Sequence, residues 1–429
     1  MRNPLKSKLA KNASWIIIGR VVQALLGLVV SMFTARYLGP GNYGLISYAH
    51  SLVGFVMPVV FLGMNNTLVH ELTTDQSSEG EIIGTSIIMS LMSSIICMIG
   101  VFTFTFFVNA DEKATIIVSV LYSFILIFQV LDLVRYWFQS KLLSKYSAIV
   151  SLISYVIVSL YKIFLLITHK SVYWFAVSNT IDYLIISISL LVIYHKLGGQ
   201  KLAFSLNRAK SLFSKSKHYI VTGLMVAIFA QTDKIMLKLM LGETATGFYS
   251  AASTCAAMTG FIFTAIIDSF RPEIFKSYSQ STEKFELNMK RLYSVIIYIS
   301  LAQSLVMTVF APIIIHILYG SQYNPSITAL QIITWFTTFS YMGSVRNIWI
   351  LSKNLQKYLW IINLSGAALN VILNAILIPH FGINGASFAS FMTQFFTNFI
   401  IGFIILPIKD NNILIIKAIN PKYLLSLIK

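Results

Sequence analysis

Long apolar runs alternate with short polar segments along the whole chain, a pattern typical of proteins that cross a membrane many times. A helix needs about 20 mostly apolar residues to cross the hydrocarbon core of a bilayer. Twelve runs are long enough, and glycine, proline and asparagine in their connections favour turns. The predicted spans are 14–38, 44–66, 82–108, 114–138, 147–168, 171–196, 218–241, 247–270, 292–319, 326–351, 358–379 and 385–407. The sequence therefore predicts an all-α polytopic membrane protein with twelve transmembrane helices.

The basic residues of the predicted loops lie almost entirely on one side of the membrane. If the N-terminus is cytoplasmic, the outer loops hold only Lys113 and Lys170, and the other loop lysines and arginines are cytoplasmic. Because basic residues accumulate in cytoplasmic loops, both termini are predicted to be cytoplasmic. One segment does not follow this pattern. Residues 67–81 should be cytoplasmic, yet they include four acidic residues and neither lysine nor arginine.

Two segments of the chain match each other at a constant offset. Residues 38–49 match residues 241–252 in leucine, glycine, serine and alanine positions without a gap, and each segment joins an odd-numbered span to the next. This predicts two six-helix bundles related as a parallel repeat around a central cavity, which would give alternating access. Chance recurrence of helix-capping glycines is the alternative explanation. The predicted organisation is an N-terminal bundle at 1–196, a cytoplasmic linker at 197–217, a C-terminal bundle at 218–407 and a cytoplasmic tail at 408–429.

Composition argues against several other classes of protein. The chain is 56% hydrophobic and 11% charged, whereas soluble domains usually contain about 25% charged residues. The loop lysines and arginines account for the net charge of +17, so a nucleic-acid partner is not predicted. The two cysteines are too few for a disulfide framework or a metal site. Because the sequence has no Gly-rich phosphate loop and no nucleophile motif, we predict no cofactor and no catalytic residues.

Several short motifs resemble those of a known family of membrane proteins. Residues 35–44, Ala-Arg-Tyr-Leu-Gly-Pro-Gly-Asn-Tyr-Gly, resemble the end of the first span in Wzx-type polysaccharide flippases. Residues 231–237, Gln-Thr-Asp-Lys-Ile-Met-Leu, together with 247–252, resemble the seventh-span signature of that family. The Arg-Pro pair at 271–272 and the segment Pro-His-Phe-Gly-Ile-Asn-Gly-Ala at 379–386 are also similar to it.

This resemblance implies membership of the multidrug/oligosaccharidyl-lipid/polysaccharide exporter superfamily. It further implies that undecaprenyl-diphosphate-linked oligosaccharide units are flipped from the cytoplasmic to the outer leaflet of the bacterial inner membrane, for O-antigen, lipopolysaccharide or another surface polysaccharide. The implied partners are the lipid-linked oligosaccharide, the lipid bilayer and other polysaccharide assembly proteins. Related peptidoglycan-precursor flippases typically have fourteen spans, so the twelve predicted here argue against lipid II as the substrate.

Charged side chains inside the predicted spans are candidates for a functional site, because a charge within the bilayer is costly unless it is paired or used. On the first span Arg20 and Gln23 share a helical face, and on the seventh span Lys234 and Lys238 share one. Lysine and arginine both bind phosphate oxygens, so these faces suit a diphosphate head group. The predicted substrate-pathway residues are Arg20, Gln23, Arg36, Lys162, Lys234, Lys238 and Arg346.

Other interpretations of the charges within the spans stay open. Asp182 and Asp233 could bind a coupling H⁺ or Na⁺, or each could neutralise a buried lysine. Arg36 and Lys238 lie close to the predicted outer surface, where long basic side chains can snorkel to water. Two i, i+3 pairs have the spacing of ion pairs at helix ends, Asp132–Arg135 and Asp268–Arg271.

A multidrug or metabolite antiporter of the same superfamily is the first alternative function, and an enzyme is the second. A cavity for cationic drugs should be acidic, whereas basic residues outnumber acidic ones within the predicted spans. A membrane polymerase or acyltransferase needs a large outer loop or clustered catalytic residues, and the predicted outer loops are short. The sequence favours a flippase over both. Because it has no nucleotide-binding motif, we expect an ion gradient to drive transport.

Overall fold

The computed structural model is helical throughout the part of the chain that it describes, which is the backbone of residues 4–426 and the side chains of residues 22, 23 and 26–426. Short 3₁₀ turns and loops connect the helices. The helices are α1 (Pro4–Val60), α2 (Leu68–Thr74), α3 (Glu79–Val108), α4 (Lys113–Ser123), α5 (Ile125–Leu131), α6 (Arg135–Ser140), α7 (Ser144–Ile167), α8 (Val172–Lys196), α9 (Leu206–Leu241), α10 (Glu243–Ala257), α11 (Gly260–Tyr278), α12 (Thr282–Tyr319), α13 (Ser326–Ser352), α14 (Leu359–Phe395), α15 (Ile401–Ile404), α16 (Lys409–Ala418) and α17 (Lys422–Leu425), with a π-helical turn at Phe396–Ile400.

These helices have the lengths and hydropathy of a multi-pass membrane protein. Among the described residues, nine helical segments are long and apolar enough to span a bilayer. Two of the nine, Leu26–Val60 and Gln356–Ile404, each include parts of two predicted spans that are joined through a kink. The 27-residue helix α13 is not among the nine, because its polar residues, which include Gln331, Arg346 and Asn347, lower its mean hydropathy. The chain thus has about nine to twelve apolar helices, and the repeat of two six-helix bundles remains a prediction.

Both kinks occur at glycines inside segments that the sequence predicts as connections. Gly39 in α1 has φ 69° and ψ 170°, and Gly382 in α14 has φ 57° and ψ −135°. Residues with a Cβ rarely adopt a positive φ, whereas glycine does so at little cost. The chain can therefore change direction at these two positions without a longer loop.

The first compact unit comprises Met1–Gln231. Its core contains buried side chains from α1, α3, α4, α5 and α8, and several large aromatic residues are almost fully buried. Tyr48 donates a hydrogen bond to Asn109 at 3.1 Å, and Tyr194 donates one to the main-chain oxygen of Gln200 at 2.7 Å. Buried tyrosines normally need such a partner for the hydroxyl group. These bonds connect the helices to the loops at each end of the unit.

The acidic segment 67–81 packs against basic segments of the same unit. Its four carboxylates form ion pairs, Glu71 with Lys215, Asp75 and Glu81 with Arg208, and Glu79 with Lys141. The buried Glu79 also accepts a hydrogen bond from the indole of Trp137 at 2.7 Å. The acidic segment therefore lies at the same end of the first unit as the basic residues around 141 and 208–215.

The second compact unit comprises Thr232–Lys429, described as far as residue 426. Its core is built around α12 and α13, with buried residues from α11 and α14. The described part of the predicted tail packs against α12. Tyr293 donates a hydrogen bond to Asn411 at 2.7 Å, and Tyr298 donates one to the main-chain oxygen of Ile419 at 2.6 Å.

Candidate functional site

Asp233 of α9 is a buried carboxylate that accepts hydrogen bonds from four side chains of the second unit. One of its oxygens accepts from the amide groups of Asn370 and Asn374, at 3.1 and 2.6 Å. The other accepts from the hydroxyl groups of Tyr249 and Ser390. All five side chains are buried. Because an ionised carboxylate is expensive to bury without partners, these four donors make its presence inside a membrane helix possible.

The local sequence places these donors around the carboxylate. Asn370 and Asn374 are one turn apart in α14, so both side chains lie on one face of the helix. The kink at Gly382 allows the second half of α14, which includes Ser390, to turn back along the first half. The two halves approach closely at Gly385, where a Cβ atom would lie 2.3 Å from a main-chain oxygen of the first half. Glycine is therefore required at this contact.

The side-chain carbonyl oxygens of the two asparagines accept no hydrogen bond from any described residue. Asn370 Oδ1 and Asn374 Oδ1 are both buried. The oxygen and nitrogen of an amide group are distinguished only by their hydrogen bonds, so each amide can be rotated by 180°. After rotation, both amide oxygens would lie beside the carboxylate of Asp233 and the hydroxyl of Ser390. Hard cations such as Na⁺ prefer oxygen ligands of this kind.

The ligand chemistry of this site differs from that of a transition-metal centre. Among the side chains that the structure describes, no group of three histidine, cysteine, aspartate or glutamate residues is close enough to hold a metal ion. Zinc sites are usually built from such residues. One carboxylate surrounded by amide and hydroxyl groups instead suits a proton or a weakly held monovalent cation.

Lys234 follows Asp233 in α9 and lies about 100° further around the helix. Its side chain is half-buried, and it makes neither a hydrogen bond nor an ion pair with any described residue. Asp233 is the charge with which it interacts electrostatically. Asp233 thus acts on Lys234 through its charge, without a hydrogen bond or an ion pair between the two side chains.

Two other predicted pathway residues lie near the junctions between helices. Lys238 forms an ion pair with Glu243 at 3.1 Å, and its side chain is fully buried. This contact joins the end of α9 to the start of α10 and favours a structural role. Arg36 is exposed, close to the kink in α1.

Asp182 and Lys162 belong to a second polar cluster, which lies within the first unit. Ser154 donates a hydrogen bond to Asp182 at 2.5 Å, and Lys162 donates one to Asn179 at 3.4 Å. Asn179 in turn donates to the hydroxyl of Tyr122 at 2.7 Å. Asp182 also interacts electrostatically with Lys162. This cluster favours charge pairing as the role of both residues.

Of the remaining predicted residues, Arg346 makes a defined contact within the second unit. Arg346 of α13 is buried, and its guanidinium group donates a hydrogen bond to the main-chain oxygen of Thr397. Gln23 is half-buried, and the side chain of Arg20 lies outside the described residues. The two expected ion pairs at helix ends form, Asp132–Arg135 at 3.0 Å and Asp268–Arg271 at 3.1 Å.

Sequence reasoning did not identify the four residues that donate hydrogen bonds to Asp233. A signal was present for Asn370 and Asn374, because two asparagines one turn apart are unusual in a predicted membrane span. Tyr249 lies within the recognised motif at 247–252, yet the motif did not reveal its partner. Ser390 could not be recognised, because single serines are common in these helices and only the kink brings this one to Asp233.

A family model described as "Polysaccharide biosynthesis protein" matches residues 9–278. The chain belongs to this family. The match confirms the family resemblance that the short motifs predict, and it includes the segment with Asp233 and Lys234.

The chain is also similar to individual proteins over most of its length. It is 25% identical to an uncharacterized membrane protein of Methanocaldococcus jannaschii, over 91% of this chain and 82% of the relative. It is 21% identical to a protein of Escherichia coli (strain K12) named "Putative O-antigen transporter", over 91% of this chain and 95% of the relative.

Solved structures with the same fold include a lipid II flippase and a multidrug transporter. The flippase, MurJ in an inward closed conformation, has a TM-score of 0.73 and 15% identity over 96% of this chain and 92% of its own. An inward-facing multidrug resistance transporter of the MATE family and MOP superfamily has a TM-score of 0.68 and 14% identity, over 92% and 98%. At these identities the similarity establishes a MOP-type fold and leaves the substrate open.

Proposed function

We propose that this protein flips undecaprenyl-diphosphate-linked oligosaccharide units from the cytoplasmic to the outer leaflet of the inner membrane. The observation that carries the proposal is Lys234, a half-buried lysine without an ion pair among the described residues, in a member of the polysaccharide biosynthesis family. The name of the Escherichia coli relative supports the substrate class. The flippase among the structures of the same fold supports the type of transport.

Lys234 would bind the diphosphate, the part of the substrate that is most difficult to move through a membrane. A charge at the bilayer centre costs roughly 2.5–3.5 kcal/mol or more when it is unpaired. An ammonium–phosphate contact relieves this penalty for both groups, and hydrogen bonds to charged groups contribute about 1.5–3 kcal/mol. Arg20, Gln23 and Arg36 are the other head-group contacts that we propose. Lys162, Lys238 and Arg346 fit this role less well, because each has a partner within its own unit.

The same helix would connect ion binding to substrate binding. We assign the coupling ion, Na⁺ or H⁺, to Asp233, whose surroundings can present oxygen atoms to a cation. A cation or proton on Asp233 removes the negative charge that acts on the adjacent Lys234. Electrostatic interactions over a few ångströms are strong in a medium of low dielectric constant, so Lys234 would then attract a diphosphate more strongly. Asp182, which interacts electrostatically with Lys162, is the second candidate for ion binding.

Loss of the gene product tests the proposed function. In a strain that has no second flippase, deletion should stop the assembly of surface glycan, while lipid-linked units accumulate on the inner leaflet. Complementation with the wild-type gene is the control. Normal surface polymer in this deletion strain would refute the proposal. In sealed vesicles, flipping should depend on a Na⁺ or H⁺ gradient, and indifference to both gradients would remove the coupling role of Asp233.

A further inference from the structure

The π-helical turn at Phe396–Ile400 interrupts the last apolar helix, and two buried side chains from other helices bind it. A π-helical turn releases main-chain oxygens from the normal helical hydrogen bonds, and such turns often occur at functional sites. Arg346 of α13 donates to the oxygen of Thr397, and Asn412 of α16 donates to the oxygen of Phe399. We call Arg346 and Asn412 the clamp.

Glycines allow the side chains of Asn412 and Asn398 to approach neighbouring helices closely. At Gly402, which follows the turn, a Cβ atom would lie 2.1 Å from Asn412 Oδ1. At Gly343 on α13, one turn before Arg346, a Cβ atom would lie 2.1 Å from the Asn398 side chain. Arg346, Asn398 and Asn412 are all buried. Among the described residues Arg346 has no carboxylate partner and its Nε makes no hydrogen bond, so its main contact is with the turn.

The turn lies on the same helix as one of the ligands of Asp233. Ser390, Gln394 and Thr397 are spaced i, i+4 and i+7, so they lie on one helical face. Ser390 contacts Asp233 at one end of this face, and Thr397 contacts Arg346 at the other end. About 10 Å separates the two positions at 1.5 Å per residue. If the turn became α-helical, the helix on one side would move by about 1.5 Å along its axis and rotate by about 100° about that axis, relative to the other side.

We propose that the clamp is a positioning device that fixes the height and rotation of Ser390 at the Asp233 ion site. This inference rests on the proposed function, because it assumes that Asp233 binds a coupling ion. Arg346 and Asn412 do not touch the ion. They hold the turn, the turn sets the register of the helix, and the register sets the position of Ser390. The helix α16, which follows the last apolar helix, thereby becomes part of the ion-binding machinery.

Arg346→Met and Asn412→Leu remove the clamp without leaving an unpaired buried charge, and Arg346→Lys is the conservative variant. For the purified protein in detergent, the unfolding midpoint is measured over a series of NaCl concentrations, with choline chloride keeping ionic strength constant, and over a pH series. Bound ligand stabilises the folded protein by RT ln(1 + [L]/Kd), so the midpoint begins to rise at a Na⁺ concentration near the Kd and continues to rise above it. We expect the clamp variants to need about tenfold more Na⁺ for the same rise in the midpoint. Arg346→Lys should recover part of the shift, and Arg271→Gln, which removes an exposed ion pair, should show none.

Hydrogen exchange of the amides of residues 383–400 distinguishes a failure of the clamp proposal from a failure of the ion-coupling proposal at Asp233. Loss of the clamp should increase exchange across this segment, whether or not Asp233 binds an ion, and Arg271→Gln should leave it unchanged. If the wild type shows no response to Na⁺ or pH, the ion-coupling proposal is wrong, and unchanged exchange in Arg346→Met then also overturns the clamp. If the wild type responds and the folded clamp variants respond identically, the clamp does not position Ser390.

Discussion

The guanidinium group of Arg208 binds the carboxylate of Asp75, with Nη2 and Oδ2 2.7 Å apart. Arg208 also lies 3.6 Å from Glu81, so one arginine at the start of α9 contacts both the middle and the end of the acidic segment 67–81. Acidic residues contribute little to the orientation of membrane helices. The acidic segment can therefore lie beside basic segments without opposing the topology that they favour, which explains the one loop that departs from the charge pattern.

This contact makes a prediction for stability as a function of pH. Hydrogen bonds from Ser77 and Arg208 hold the pKa of Asp75 below its usual range. A carboxyl group with a lowered pKa in the folded state contributes stability above its unfolded pKa and loses it as the pH falls. We therefore expect Arg208→Gln to lower the unfolding midpoint of the purified protein at pH 7. The difference from the wild type should shrink as the pH falls below about 4, near the unfolded value for aspartate.

Lys210→Gln provides the matched control, because Lys210 is an exposed residue of the same helix. It should leave the midpoint close to that of the wild type. The charge exchange Asp75→Arg with Arg208→Asp should restore part of the loss. If Arg208→Gln and Lys210→Gln have the same midpoint at pH 7, the ion pair does not stabilise the first unit.

We predict that both termini are cytoplasmic. The distribution of loop charge motivates this orientation, and ion pairs place the acidic segment at the same end of the first unit as Lys141 and Arg208. Reporter fusions at Lys201 and Asp410 should give cytoplasmic signals, and a fusion at Lys170 should give an external signal. A cytoplasmic signal from Lys170 together with an external one from Lys201 would invert the topology. An external signal from Lys201 alone would mean that the number of spans before it is odd.

The fold class could be predicted from the sequence because hydropathy depends on local composition. Residues 82–108 are apolar enough to identify a span, and α3 covers them. The kinks were harder to predict. Gly39 and Gly382 lie in segments that were interpreted as connections, whereas each segment continues as a helix on both sides of a glycine with positive φ. Turn composition alone does not distinguish a loop from a kink, because both use the same conformational freedom of glycine.

The candidate site was only partly predictable, for a different physical reason. Asp233 and Lys234 could be selected because a charge in a membrane span is rare. Their partners are neutral residues distant in sequence, and Ser390 reaches Asp233 only because α14 bends at Gly382. Conversely, Lys162 was selected for its charge, and the structure places it beside Asn179 and near Asp182. A sequence shows that a charge is present, whereas its role depends on which groups the fold brings to it.

The Asp233 site makes a prediction about ion dependence. Replacing Asn374 with leucine removes one of the proposed oxygen ligands, so we expect about tenfold more Na⁺ to be needed for the same rise in the unfolding midpoint, equivalent to about 1.4 kcal/mol of binding free energy. Asn374→Asp should have the opposite effect on Na⁺ affinity, because a second carboxylate adds negative charge. Unfolding midpoints over a Na⁺ series measure both effects.

Asn363→Leu is the matched control for this prediction. Asn363 lies on the same helix as Asn374 and outside the group that binds Asp233. It should leave the response to Na⁺ unchanged. Identical responses of Asn374→Leu, Asn374→Asp and wild type would show that this amide is not a ligand.

The proposed contact between Lys234 and the diphosphate makes the most direct prediction about transport. If the lysine binds substrate, Lys234→Ala should reduce the rate of flipping about ten- to a hundredfold, the loss expected for one or two hydrogen bonds to a charged group. Lys234→Arg should keep a large share of the activity, since guanidinium also binds phosphate. Surface glycan and the amount of folded protein in the membrane are measured together, so that transport is separated from stability.

Lys238→Ala is the matched control, because Lys238 lies on the same helical face and has a structural role. It truncates a fully buried side chain and removes the ion pair that joins α9 to α10, so it should lower the amount of folded protein. Lys234 makes no such ion pair among the described residues, so Lys234→Ala should leave protein levels close to normal. If Lys234→Ala instead behaves like Lys238→Ala, with less protein and a normal rate per molecule, the lysine is structural. Normal glycan from a stable Lys234→Glu variant would exclude contact with the diphosphate, because a carboxylate at this position would repel it.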